Sequence, residues 1–126
     1  SMTTTGKIHI VFGATGDRDK AKRPVMGKVT SELADFVYLT DDETHTEDGD
    51  SIRDSVYAGV AKANQSKVSV IADRKEAIKS ALSRAKPVDT VIITGIGHQT
   101  TRNMGGETQN WSDIEVAIAI LKDIKK

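Results

Sequence analysis

Short apolar runs alternate along the chain with stretches whose apolar residues recur every three or four positions. Ile8-His9-Ile10-Val11-Phe12, Phe36 to Thr40, Val68 to Ile71 and Thr90 to Thr94 have the length and character of strands. The first of them reads as a strand buried on both faces. Between these runs, Val25, Val29 and Leu33 fall on one face of a helix predicted over residues 24–34. Pro24 suits its first position, where a missing N–H costs nothing. A second helix over 51–64 carries Ile52, Val56 and Val60 at a spacing of four. Asp73 with Glu76 is a variant capping box, and it predicts a helix with Ile78, Ala81, Leu82 and Ala85 inward. Ser112 with Glu115 caps a last helix with Ile114, Ala117, Ile118 and Leu121 inward. The Gly105-Gly106 pair predicts a short hairpin over 100–110, because a tight two-residue turn needs positive φ.

Four rounds of strand then helix predict an α/β domain of Rossmann-like, three-layer form, with a mostly parallel sheet and a short hairpin near the C-terminus. In such a sheet the loops leaving the C-terminal strand ends converge, and ligands bind there. Those loops are Gly13–Arg23, Asp41–Asp48, Ala72-Asp73 and Gly95–Gln99. They gather Asp17, Arg18, Asp19, Lys20, Lys22, Arg23, Asp41, Asp42, Glu43, His45, His98 and Gln99 at one edge. Mixed charge on a concave edge suits a zwitterionic or phosphorylated small molecule better than a polymer. A solvated, charge-balanced set of loops is the bland alternative for any one of these residues.

Composition narrows the classes. The chain has 126 residues, room for one domain with a core of its own. Eighteen basic residues balance eighteen acidic ones, so no global field favours nucleic acid or an anionic membrane. The absence of cysteine removes disulfides, thiolate metal sites and cysteine nucleophiles, and fits a cytoplasmic location. No apolar run approaches the length of a membrane span. Ser1-Met2 reads as residues left by cloning, ahead of a domain over 3–126.

Individual motifs carry less. Gly13-Ala14-Thr15-Gly16 after the first strand is half of a dinucleotide fingerprint, with Asp41 or Asp42 placed to take ribose hydroxyls. The third glycine is missing, and Asp19 stands in its place, where it would repel a pyrophosphate. There is no GxxxxGK[ST] sequence to hold a triphosphate. His45 and His98 lack a defined third ligand, so no metal site is expected. Trp111 reads as a packing residue beside the Ser112 cap.

The run GATGDRDKAKRPVMGKVTSELADFVYLTDDETHTED, followed by AKPVDTVIITGIGHQ and a downstream Gly-Gly, closely resembles the C-terminal domain of Mur ligases. Among them it is most similar to the UDP-N-acetylmuramoyl tripeptide synthetases. The resemblance implies an ATP-dependent, Mg2+-requiring ligase that adds a diamino acid to UDP-N-acetylmuramoyl-L-alanyl-D-glutamate in peptidoglycan synthesis. It also implies two further domains, a UDP-sugar domain and a central ATPase, that this chain does not match. The fragment alone is therefore expected to be inactive. ATP would activate the substrate carboxylate as an acyl phosphate on the central domain, and this domain would deliver the amine and close over the nucleotide.

Residue by residue, the resemblance implies that Asp17 contacts the ATP ribose and that Arg18 holds the carboxylate of the incoming amino acid. Gly95 and Gln99 match positions of a GKGHE-type loop that grips the diamino acid. Asp42-Glu43-Thr44-His45 falls on the specificity motif, DNPR in diaminopimelate-adding enzymes, whose arginine pairs with the distal carboxylate. Glu43, Thr44 and His45 replace its last three residues; Ile96 and Gln99 replace a lysine and a glutamate of the other loop. A neutral His45 and an acidic Glu43 imply lysine or ornithine rather than meso-diaminopimelate as the added residue. Other readings remain at this stage: an NAD(P)-binding domain of a reductase, a non-catalytic α/β binding module, or a related ligase acting on poly-amino-acid or folate substrates.

Overall fold

The computed structural model describes residues 6–16, 20–94 and 100–124. In chain order they form β1 (Ile8–Phe12), α1 (Lys22–Leu33), β2 (Phe36–Leu39), α2 (Gly49–Tyr57), a 3-10 segment (Lys62–Lys67), β3 (Val68–Val70), α3 (Arg74–Arg84), β4 (Thr90–Ile93), β5 (Thr101–Met104), β6 (Glu107–Asn110) and α4 (Asp113–Ile124). The first four strands make one parallel sheet in the order β3-β2-β1-β4. Ile10 lies between Val37 of β2 and Ile92 of β4, and Leu39 lies beside Val70 of β3. Because these strands are parallel, the loops after Phe12, Leu39, Val70 and Ile93 leave from one edge. The hairpin β5–β6 is a separate two-stranded sheet.

Alternation along the strands splits the core in two. On one face Phe12, Val37 and Leu39 pack with Ala34, Ile52 and Val56, covered by α1 and α2. On the other, Val11 and Tyr38 pack with Ala77, Ile78 and Ala81 of α3 and Ile120 of α4. The three-layer α/β form expected from the sequence is borne out, hairpin included.

Several faces differ from the expected ones. Val25, Val29 and Leu33 are 57%, 43% and 69% exposed, while Arg23, Gly27 and Ser31 point inward. The cause is a close approach between helices: a Cβ on Gly27 would sit 2.0 Å from the carbonyl oxygen of Val56, so only glycine fits there. Ser31 turns its hydroxyl back onto the Gly27 carbonyl at 2.7 Å, and Arg23 finds an ion-pair partner in Glu47. α1 also starts at Lys22, which leaves Pro24 in the first turn, where its missing N–H is still no loss.

β1 is not buried on both faces throughout, since Ile8 is 38% exposed, and on the adjacent β4 Ile92, beside Ile10, is 40% exposed. α2 stops at Tyr57, and Gly59 and Val60 close a tighter turn onto Val56 and Tyr57. Ile52, Val56 and Val60 are nevertheless all buried, as expected.

α4 presents Asp113, Val116, Ala117 and Ile120 to the core, not Ile114, Ile118 and Leu121, which stay 40–49% exposed. Both sets have helical spacing, and the buried pairing of Asp113 with Arg74 selects between them. The caps hold as expected. Asp73 accepts from the N–H groups of Lys75 and Glu76 at 2.9 and 3.3 Å, and the Ser112 hydroxyl accepts from the Glu115 N–H at 3.2 Å. Gly105 and Gly106 have φ of 63° and 86°, which builds the two-residue turn.

At the opposite edge of the sheet, His9 is 1% exposed and bridges two elements. Its Nδ1 lies 2.9 Å from the Tyr38 hydroxyl and its Nε2 lies 3.0 Å from Asp89 Oδ2. Both ring nitrogens are therefore engaged, and the histidine stitches β1 to β2 and to the turn before β4.

Candidate ligand-binding edge

The loop after β2 is the centre of the edge. Thr40 is fully buried and donates to the Ala72 carbonyl at 3.1 Å, tying the β2 exit to the β3 exit. Asp41 binds Arg53, which also binds Asp50, and the Asp41 carbonyl accepts from Arg74 Nη1 at 3.1 Å. Asp42 is 5% exposed. Its Oδ1 accepts from the Glu43 N–H at 2.7 Å, and its Oδ2 lies 3.5 Å from the Thr15 hydroxyl. Burial pushes the Asp42 carboxyl up, against the opposing pull of Arg74.

Glu43 and His45 are fastened to the hairpin. Glu43 Oε2 accepts from the Asn103 N–H at 2.8 Å, and the His45 N–H donates to the Asn103 carbonyl at 3.2 Å. His45 bridges Met104 and adopts φ of 52°, a left-handed conformation uncommon outside glycine but more accessible to His, Asn and Asp. The Thr44 hydroxyl accepts from the Gly105 N–H at 3.1 Å. Hairpin and loop therefore form one unit, although they are sixty residues apart.

The glycine loop after β1 leans on the same unit. The Gly16 N–H donates to the Glu43 carbonyl at 2.7 Å, and a Cβ on Gly16 would meet the Thr44 carbonyl oxygen at 1.8 Å. Loop-to-loop contact thus requires glycine here. This takes away the main support for the dinucleotide reading, in which glycine makes room for a pyrophosphate. Arg23, 1% exposed, belongs to this packing too: it donates to Glu47 at 2.5 and 2.7 Å and to the Thr15 carbonyl at 3.2 Å.

Arg74 spans the exits of two strands. It is 1% exposed, donates to Asp113 through Nε at 2.8 Å and Nη2 at 2.7 Å, and caps the Thr94 carbonyl at 2.8 Å. Asp113 also accepts from Trp111 Nε1 at 2.7 Å, and the Trp111 ring carries the Arg102 guanidinium 4.1 Å from its centroid. Trp111 thus packs beside the cap, as its sequence position suggested. Arg74, Arg102 and Asp113 were not singled out by the sequence. Arg74 and Asp113 follow helix caps and read as exposed first-turn residues, and no local pattern announces a partner 39 positions away.

Of the expected amino-acid-binding residues, the structure brings Asp42, Glu43 and His45 together at this edge. Asp17, Arg18, Gly95 and Gln99 lie outside the described residues, as do Asp19 and His98. Among the described residues no group of three or more His, Cys, Asp or Glu side chains is placed to hold a metal ion.

Residues 1–97 match the family model described as Mur ligase, glutamate ligase domain. The chain belongs to the Mur ligase family. Similar Mur ligases include the UDP-N-acetylmuramoyl-L-alanyl-D-glutamate–2,6-diaminopimelate ligase of Nostoc sp., 42% identical over 121 residues that make up 96% of this chain and 24% of the relative. The ligase of the same name from Brucella melitensis biotype 1 is 43% identical over 118 residues, 93% of this chain and 23% of the relative. A solved diaminopimelate ligase of this kind superposes with a TM-score of 0.88 at 30% identity, over 95% of this chain and 24% of its own. The family expected from the GDRDK and GIGHQ runs is borne out. The chain spans about a quarter of the length of the curated Mur ligases it matches.

Proposed function

We propose that this chain is the C-terminal domain of an ATP-dependent amide-bond-forming ligase that adds a diamino acid to UDP-N-acetylmuramoyl-L-alanyl-D-glutamate in cytoplasmic peptidoglycan synthesis. The observation that carries the reading is identity above 40% with diaminopimelate ligases across nearly the whole chain, joined to the convergence of the strand-exit loops on one edge. ATP with Mg2+ supplies carboxylate activation, with both bound mainly by parts of the enzyme beyond this chain. The residues here orient the incoming amine and close over the nucleotide. Arg18 is the carboxylate anchor in this proposal and Asp17 the ribose contact. Asp42, Glu43, His45, Gly95 and Gln99 surround the amino acid.

For the added residue we adopt 2,6-diaminopimelate, which the relatives' names carry. The preference for lysine or ornithine rested on the arginine replaced by His45 together with a free Glu43 carboxylate repelling a distal carboxylate. That carboxylate accepts the Asn103 N–H at 2.8 Å, so part of its charge is already answered within the fold.

The test is the full-length gene product with ATP, Mg2+, the UDP-dipeptide and each of the three amino acids. Phosphate release that requires the dipeptide and a diamino acid together supports the reading. Release indifferent to the amino acid overturns it, as does ligase activity on a folate or glutamate chain alone.

A further inference from the structure

Four described arginines stand at the ligand-binding edge: Arg23, Arg53, Arg74 and Arg102. Three of them are bound to carboxylates: Arg23 to Glu47, Arg53 to Asp41 and Asp50, and Arg74 to Asp113. Arg102 is the exception. Among the described residues it makes no ion pair, and its one hydrogen bond is from Nε to the neutral Gln109 Oε1 at 3.3 Å. The residue is half-buried, and its guanidinium carbon lies over the Trp111 ring, 4.1 Å from the centroid.

The position of Arg102 is as telling as its lack of a carboxylate partner. Its neighbour in the hairpin, Asn103, bonds Glu43 and His45, so Arg102 is carried beside the loop where the specificity motif falls. It lies within electrostatic reach of Asp41, Asp73 and Asp113 as well as Arg74. Asp41 and Asp113 are already neutralised by Arg53 and Arg74, and Asp73 caps α3. Burial, then the Arg74 cation, push the Arg102 pKa down, so the fold holds this cation at a cost that its own carboxylates do not offset. A planar fork held over an aromatic ring, with its terminal nitrogens unbonded among the described residues, is preorganised for a carboxylate.

We propose that Arg102 binds the distal carboxylate of the incoming amino acid, supplying the permanent cation that His45 does not. The inference rests on the ligase reading above and concerns which residue of that site recognises a diamino diacid.

The experiment compares kcat/KM for meso-diaminopimelate and for lysine in the full-length ligase, with wild-type, Arg102→Gln and Arg102→Lys proteins. The ratio of the two specificity constants should fall by about 10- to 100-fold in Arg102→Gln, mainly through the KM for diaminopimelate. Arg102→Lys should recover part of it, as a point charge does without the fork. Equal losses on both amino acids would overturn the proposal in favour of a packing role through Trp111. A rise confined to the KM for ATP would overturn it in favour of a phosphate contact. A wild-type enzyme that uses lysine but not diaminopimelate sinks this inference and leaves the ligase reading standing; one that uses neither sinks both.

Discussion

Arg74 and Asp113 form a buried, two-pronged ion pair, Nε to Oδ1 at 2.8 Å and Nη2 to Oδ2 at 2.7 Å, that fixes α3 to α4. The same arginine caps the carbonyls of Asp41 and Thr94, so the pair also sets the geometry of two strand exits. Removing one partner leaves a charge buried and unanswered, which typically costs about 3–5 kcal/mol. Asp113→Ala should lose that much in chemical denaturation. The double replacement Arg74→Met with Asp113→Leu should lose less than the sum of the single changes.

The bond from the Asn103 N–H to Glu43 makes a second prediction. Glu43→Ala should cost about 1–3 kcal/mol, the range for a partly buried donor left without its charged acceptor. Amide hydrogen exchange supplies the specific readout: the Asn103 amide should lose protection while the Tyr38 amide, in β2, keeps it. Unchanged exchange at Asn103 would mean that the hairpin does not depend on this contact.

α1 offers a paired test of which face is inside. Leu33→Gln should change the unfolding free energy by less than about 0.5 kcal/mol, because the side chain is 69% exposed. Ser31→Leu, at a fully buried position, should cost about 1–3 kcal/mol by overpacking. The reverse order would restore the apolar stripe as the core face.

Asp89 gives the chain an acid-sensitive latch. Its carboxyl is held down to about 2 by the Lys86 N–H, then the Lys7 N–H, then His9. A depressed folded-state pKa contributes stability that is present above the ordinary value of 3.8 and is lost as pH falls towards 2. The melting temperature should therefore drop across that window, and the drop should be shallower in Asp89→Asn. An identical profile for the two proteins would show that other carboxylates dominate.

Strand positions were legible because each is a short apolar run bounded by polar residues, and in a parallel sheet that alone places four exits at one edge. Helix faces were less so. α1 carries two stripes at the same spacing, and hydrophobicity selects Val25, Val29 and Leu33. The structure selects Gly27, whose missing Cβ permits contact with α2, Ser31, whose hydroxyl bonds back onto its own helix, and Arg23, whose partner is 24 residues away. α4 is apolar on more than one side, and the choice of face was settled by Asp113 meeting Arg74. At the site, the loop after β2 could be located from its strand, but not the partners its residues would take. Those partners come from Arg53, Arg74 and Asn103, on other elements, where no local spacing reveals them.

The hairpin tip has one more use. Among the described residues nothing lies within 4 Å of a Cβ placed on Gly105 or Gly106, and the adjoining Glu107 is exposed. The chain contains no cysteine, so Glu107→Cys would carry a single fluorophore or spin label in an otherwise thiol-free background. Through Asn103 and Gly105 that label would be coupled to Glu43, His45 and Thr44. It would thus report a shift of the loop after β2 from outside it, with nothing attached to any residue proposed to surround the amino acid.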